Sequence, residues 1–250
     1  MTRASEEGGK SYAPLRNMAL FSELMQRVMH RESHLPGMAC FYGHSGYGKT
    51  FSAIWAANRA RAYYVELGET WTRKTLCQSI LRELGLASMM GQGALPDLVS
   101  AIVDRLAEER DRPLIIDEAD FLVKKGMIDL VREIHDKSQA PVILIGEELL
   151  PVKLQKYERT HNRMLDWVAA VPCDLKDAKQ LAQLYVPAVE IDDGLVAAIA
   201  KASDGRARRI AVNLERVRER AQLQGRKRMS LAEWGDEPFF TGEPPRRRAA

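Results

Sequence analysis

The stretch "GMACFYGHSGYGKTFSAIWAANRA" (residues 37–60) decides the architecture of this chain. It begins with a short apolar run of the kind that forms a buried strand and ends with a run of helical period. Between the two, Gly43–Thr50 fits G-x-x-x-x-G-K-[ST] in full. A glycine-rich turn between a strand and a helix lets backbone N–H groups face inward around phosphate oxygens. The predicted nucleotide-binding residues are therefore Gly43, His44, Ser45, Gly46, Tyr47, Gly48, Lys49, Thr50 and Phe51. Lys49 is placed to reach the β- and γ-phosphates of ATP, and the Thr50 hydroxyl to take one position on Mg²⁺.

Working outward, "LRNMALFSELMQRVMH" has helical apolar spacing at Met18, Phe21 and Met25 and at Leu20, Leu24 and Val28. Strands are expected at "AYYVEL", "RPLIIDEAD" and "APVILIG", with a weaker fifth at "WVAAVPCDL". Helices are expected at "TRKTLCQSILRELG", with Gly85 as its stop, at "LPDLVSAIVDRLAEER" and at "MIDLVREIHDKS". Near-continuous apolar strands alternating with helices predict an α/β domain with a five-stranded parallel sheet covered on both faces. Beyond about residue 174 only helical patterns remain, including "RARRIAVNLERVRERAQ" with its stripe Ile210, Leu214, Val217 and Ala221. The expected organisation is a mobile N-terminus (1–14), an α/β core (15–173), a small all-helical lid (174–225) and a basic, aromatic flexible tail (226–250) in which Trp234, Phe239 and Phe240 are free to dock on a partner.

"LIIDEAD" (114–120) supplies the second half of the site. Two adjacent carboxylates at the end of a buried strand are costly without a cation to face. With Mg²⁺ present, Asp117 serves the metal and Glu118 orients and deprotonates the attacking water. Glu147, at the end of "ILIGEE", is the candidate polar group facing the γ-phosphate. Arg159 and Arg163, four apart in "KYERTHNRMLDW", would share a helix face. In "SDGRARRI" (203–210) one of Arg206, Arg208 and Arg209 could point back to the γ-phosphate.

Bulk properties exclude several alternatives. No run of about 18 apolar residues predicts a membrane span, and no apolar segment near the start predicts a secretion signal. Cys40, Cys77 and Cys173 are too few and too scattered for a disulfide framework or a zinc site, so a reducing cytoplasm is expected. The net charge is only +3, but residues 201–228 hold ten Lys/Arg against three Asp/Glu. Arginine outnumbers lysine 25 to 12, which suits bidentate contacts to phosphate.

GHSGYGKT, LIIDEAD, the Arg159/Arg163 pair and SDGRARRI occur in the order found in AAA+ ATPases. Within that class the chain resembles the Mu B-type transposition proteins of transposable bacteriophages, relatives of the ATPase regulators of Tn7-like transposons. The resemblance runs over roughly residues 15–222. It implies Arg208 as the lid arginine, and Arg159 or Arg163 as an arginine offered to a neighbouring subunit's ATP. It further implies a helical filament of copies of the chain on double-stranded DNA, delivery of that DNA to the transposase of the same element, and a bacterial host cytoplasm. In the short stretch before the core no counterpart of the N-terminal helix-turn-helix region of the phage Mu protein is expected, and His44 is unusual in such a loop. The expected DNA contacts are Arg73 and Lys74, Lys124 and Lys125, and Arg226, Lys227 and Arg228. The competing expectation is a loader of the DnaC or IstB sort, acting on a helicase or another protein.

Overall fold

A computed structural model describes residues 13–89, 91 and 93–244 of the chain. The lead-in expected to be mobile lies outside them except for residues 13 and 14, as does the end of the tail, residues 245–250. The described chain divides into two compact units.

The larger unit is the α/β core. In order it contains α1 (Arg16–Met29), β1 (Met38–Tyr42), α2 (Lys49–Ala60), β2 (Tyr63–Glu66), α3 (Arg73–Glu83), a 3₁₀ turn (Ala87–Met89), α4 (Leu95–Glu108), β3 (Leu114–Asp117), α5 (Asp120–Lys124), α6 (Ile128–Ser138), β4 (Val142–Gly146), α7 (Leu150–Gln155), α8 (Glu158–His161) and β5 (Met164–Ala169). The five strands form one parallel sheet in the order β2-β3-β4-β1-β5. Every residue of β3 and β4 is buried, so both faces of the sheet are covered, as the unbroken apolar runs require. Phe21 of α1 meets Phe41 of β1 edge to face, with ring centroids 5.3 Å apart. Burying rings of this size stabilises the core by about 1.5–3 kcal/mol each. Helix α3 starts on Thr72, whose hydroxyl accepts from the Thr75 N–H at 3.2 Å. It stops as expected at Gly85, whose φ of +76° costs an L-residue more than glycine.

The sequence placed the fifth strand too late. β5 runs over 164–169, not 167–175. Pro172 cannot extend the ladder, and Asp174 already caps the next helix by accepting from the Asp177 N–H at 2.9 Å.

Among the described residues, the second unit takes 171–244 together with 13–16 and the loop tip Gly46–Gly48. It contains α9 (Leu175–Tyr185), β6 (Glu190–Ile191), α10 (Asp193–Ala202), α11 (Ala207–Leu223), β7 (Arg228–Met229) and α12 (Leu231–Trp234). The α11 stripe Ile210, Leu214, Val217 and Ala221 is fully buried, as its spacing predicts. Two corrections follow. The unit is not purely helical, because β6 and β7 form a two-residue parallel bridge. The segment from residue 226 to 244 is not a structureless tail. Trp234 is only 1% exposed, stacks on Phe239 with centroids 5.5 Å apart, and donates its indole N–H to the Glu237 carbonyl at 2.9 Å. Composition suggested disorder, but the partners that order this segment lie on α11.

Candidate nucleotide site

The strands of the core run parallel, so the residues that follow β1, β3 and β4 share one edge of the sheet, where open α/β sheets bind ligands. The Gly43 N–H donates to the Gly146 carbonyl at 3.3 Å, joining the loop after β1 to the end of β4. Gly46 and Gly48 take φ of +88° and +83°, left-handed positions that let the loop turn its N–H groups inward. Lys49, first residue of α2, donates its ammonium to the carbonyls of Gly43 at 2.7 Å and His44 at 3.0 Å. Burial lowers its pKa, against the pull of Asp117, Glu118, Glu147 and Asp120. Thr50 and Phe51 follow on the exposed side of the helix. His44 Nδ1 lies against the Glu148 carboxylate.

At the end of β3, Asp117 is 2% exposed. It accepts from the Tyr64 hydroxyl at 2.8 Å and from the Glu118 N–H at 2.7 Å. Glu118 sits at φ +54°, a left-handed position sparsely used by residues with a side chain and costing of order 1–3 kcal/mol. Its carboxylate tip reaches solvent. Loss of hydration, then the Asp117 charge, raises its pKa, while Lys49 pulls the other way. Asp120 ties this edge together, accepting from the Glu147 N–H at 2.7 Å and from the Lys153 ammonium at 2.6 Å. A Cβ on Gly146 would stand 2.4 Å from that carboxylate, so only glycine permits the approach. Motif reading missed Tyr64 and Asp120. Tyr64 had no signal beyond strand alternation, and Asp120 was visible only as the last letter of "DEAD".

The residues fit ATP with Mg²⁺. A half-buried ammonium is drawn to loop carbonyls beside a buried carboxylate, and the exposed Thr50 lies next to it in sequence. Mg²⁺ takes one or two protein oxygens and keeps phosphate and water for the rest. Thr50 and Asp117 are the oxygens available for it, and the metal would neutralise charge on the transferred phosphoryl group.

The expected arginines separate. Arg163 is not on a helix face with Arg159, because α8 ends at His161 and Arg163 leads into β5, its carbonyl accepting from the Met38 N–H at 2.9 Å. Its guanidinium is paired with Asp136 at 2.6 Å. Arg159 is exposed and has no side-chain partner among the described residues. Arg163 lies at the N-terminal edge of β1 and β5, about 17 Å along the strands from the glycine loop, which is too far to serve this chain's own phosphates. In the helical unit, Arg208 is exposed in the first turn of α11. Arg206 instead lies over the Tyr47 ring at 5.9 Å, with its Cβ 3.4 Å from where a Gly46 Cβ would stand. The sequence favoured Arg208 and gave no reason to choose Arg206.

Two basic loops predicted separately come together. Arg73 donates to the Gly126 carbonyl at 2.9 Å, and Lys124 pairs with Glu69 at 2.9 Å. Lys74 and Lys125 are exposed beside them. The third group belongs to the helical unit. Arg226 pairs with Glu233, Arg228 lies 3.9 Å from Glu190, and the Lys227 carbonyl accepts from the Glu190 N–H at 2.8 Å.

A phosphate-cradling loop, a strand-end Asp-Glu pair and the 2-3-4-1-5 parallel sheet define a P-loop ATPase of the AAA+ class. A family model described as an AAA domain matches residues 29–154, half of the chain, and the chain belongs to that family. None of the curated proteins matches it in sequence. Solved structures do match in shape. The Aeropyrum pernix ORC2 protein, solved as ADPNP–ADP complexes, matches with TM-score 0.69 at 19% identity, over 92% of this chain and 68% of that one. The Aeropyrum pernix ORC1 protein in complex with DNA matches with TM-score 0.62 at 21% identity, over 87% and 62%. The Thermotoga maritima RuvB Holliday junction branch migration motor matches with TM-score 0.57 at 20% identity, over 86% and 65%. At these identities the likeness is one of fold, and the chain spans about two thirds of the length of these proteins. No described helix is long and apolar enough to cross a membrane.

Proposed function

We propose that the chain is an ATP-dependent, largely non-sequence-specific ATPase of double-stranded DNA that assembles with its own copies as a filament and delivers target DNA to a transposase. The observation that carries the DNA-binding part is the meeting of the Arg73/Lys74 and Lys124/Lys125 loops. They follow β2 and β3 on the edge of the sheet that bears the glycine loop, and Lys124 ends the short helix α5, which begins two residues after Glu118. Phosphate contacts there would be felt next to the hydrolytic carboxylate. The transposition role rests on the resemblance of the sequence to Mu B-type proteins. Within the site, Lys49 holds the β- and γ-phosphates, Thr50 and Asp117 hold Mg²⁺, and Glu118 takes the proton of the attacking water. Glu147 faces the γ-phosphate, and Arg208 is the lid arginine that the resemblance implies.

Reversing Arg73 and Lys74 to Glu tests the DNA contact. Duplex affinity should fall, and the log–log salt slope should shrink by about 2, at roughly 0.9 per phosphate contact. An unchanged slope would move the DNA site elsewhere. Retained binding to a helicase with no binding to duplex DNA would favour the loader reading.

Arg159 is the arginine left available for a neighbouring copy. Arg159→Ala should leave ATP binding by the isolated chain unaltered and cut turnover of the DNA-bound assembly by about 100-fold, the cost of one lost transition-state donor. Steady-state phosphate release with and without duplex checks this. Full turnover in the variant would return the role to Arg163.

A further inference from the structure

The segment after α12 lies along α11 in a defined register. Glu237 accepts from Arg220, with which it forms an ion pair, and lies 3.5 Å from Arg216. The Pro238 carbonyl accepts from Arg216 at 3.1 Å. Asn213 clasps the Phe240 backbone from both sides, donating to its carbonyl at 2.9 Å and accepting from its N–H at 2.7 Å. A Cβ on Gly242 would stand 2.7 Å from Arg209 Nε. From 220 to 209 the helix rises about 16 Å, and the five steps of extended chain from 237 to 242 cover about the same distance. The segment is thus an antiparallel strap matched turn by turn to one helix face. The residues beneath it are three arginines and an asparagine that is fully buried. With the strap in place, Arg216 and Arg220 are only 36% and 28% exposed.

We infer that residues 237–242 mask a second phosphate-binding face of the protein, formed by Arg209, Arg216 and Arg220 on α11, and that releasing the strap opens this face to the backbone of duplex DNA. This deepens the DNA-binding reading above and rests on it for the identity of the ligand. Glu237 acts as the resident anion. Its carboxylate occupies the guanidinium groups that a phosphate would take, and the Asn213 clasp holds it there. The three arginines lie one or two helical turns apart on a single face, so they can follow successive phosphates of one strand.

The test releases the strap and leaves α11 intact. In the full chain, Phe240→Pro removes the N–H that Asn213 accepts, and Glu237→Gln removes the competing charge. The doubly substituted chain should bind random duplex at least about tenfold more tightly near 0.1 M salt, with a salt slope steeper by about 2–3, for up to three added phosphate contacts. Arg216→Glu with Arg220→Glu in that background should abolish the gain. Glu243→Gln makes the same charge change as Glu237→Gln without touching α11 and should produce none. A thermal melt and Trp234 fluorescence report that the unit is folded and that the Phe239 stack has opened. An unchanged slope in the folded, released chain overturns the inference. So does a gain shared by Glu243→Gln or one that survives the arginine reversal. If the intact chain fails to bind and the released chain binds, the basic-loop reading falls and this one stands. If neither binds, both fall.

Discussion

Lys49→Ala should lose ATP and, with it, all nucleotide-dependent assembly on DNA. The ammonium of Lys49 is the one cation that begins helix α2, and it already leans into the loop, donating to the carbonyls of Gly43 and His44. Partial burial lowers its pKa, and a phosphate oxygen would give this half-buried charge an anionic partner. Two charge-assisted bonds, to the β- and γ-phosphates, stabilise the complex by about 1.5–3 kcal/mol each. Affinity should therefore drop about 100-fold or more. Equilibrium binding of a fluorescent ATP analogue measures the loss, and electron microscopy with duplex DNA measures assembly. Normal ATP-dependent filaments from this variant would remove the nucleotide from the account.

Glu118→Gln should separate binding from hydrolysis. The amide keeps the shape and cannot take a proton, so turnover should fall about 1,000-fold, within the range for a lost general base, while ATP is retained and release from DNA stalls. The wild-type pH profile gives a second check. Glu118 must be ionised to act, and its pKa is raised, first by loss of hydration and then by Asp117. The rate should accordingly fall with acidification from a higher pH than an ordinary glutamate would give, and the variant should lack that limb. Rapid release with wild-type turnover would take the role from Glu118.

The parts of this molecule that were legible in the sequence are those whose information is local. Strand, glycine loop and helix from 37 to 60 are written in contiguous letters, as is "LIID" with its carboxylates. The apolar stripes of α1, α4 and α11 follow from spacing alone. What was not legible depends on partners far away in the chain. Arg163 looked like the mate of Arg159, yet it pairs with Asp136, 27 residues earlier. Asp120 reaches Lys153, 33 residues later. Trp234 and Phe240 read as tail because Asn213 and Arg220, which order them, carry no mark of that task. Tyr64 is in the same position: nothing in "AYYVEL" says that the second ring and not the first will hold Asp117.

Helix α5 has five residues, about 7.5 Å of rod. Its inner end is pinned where Asp120 grips Glu147 and Lys153, and its outer end carries Lys124 and Lys125. A rod so short and so anchored stores no slack. Any displacement imposed on the lysines would be passed toward the chain before the rod, where Ala119 caps the helix and Glu118, two residues ahead of Asp120, is bent into an unfavourable backbone angle. With Glu118 as the proposed proton acceptor, a tug at the rim would change where that acceptor points.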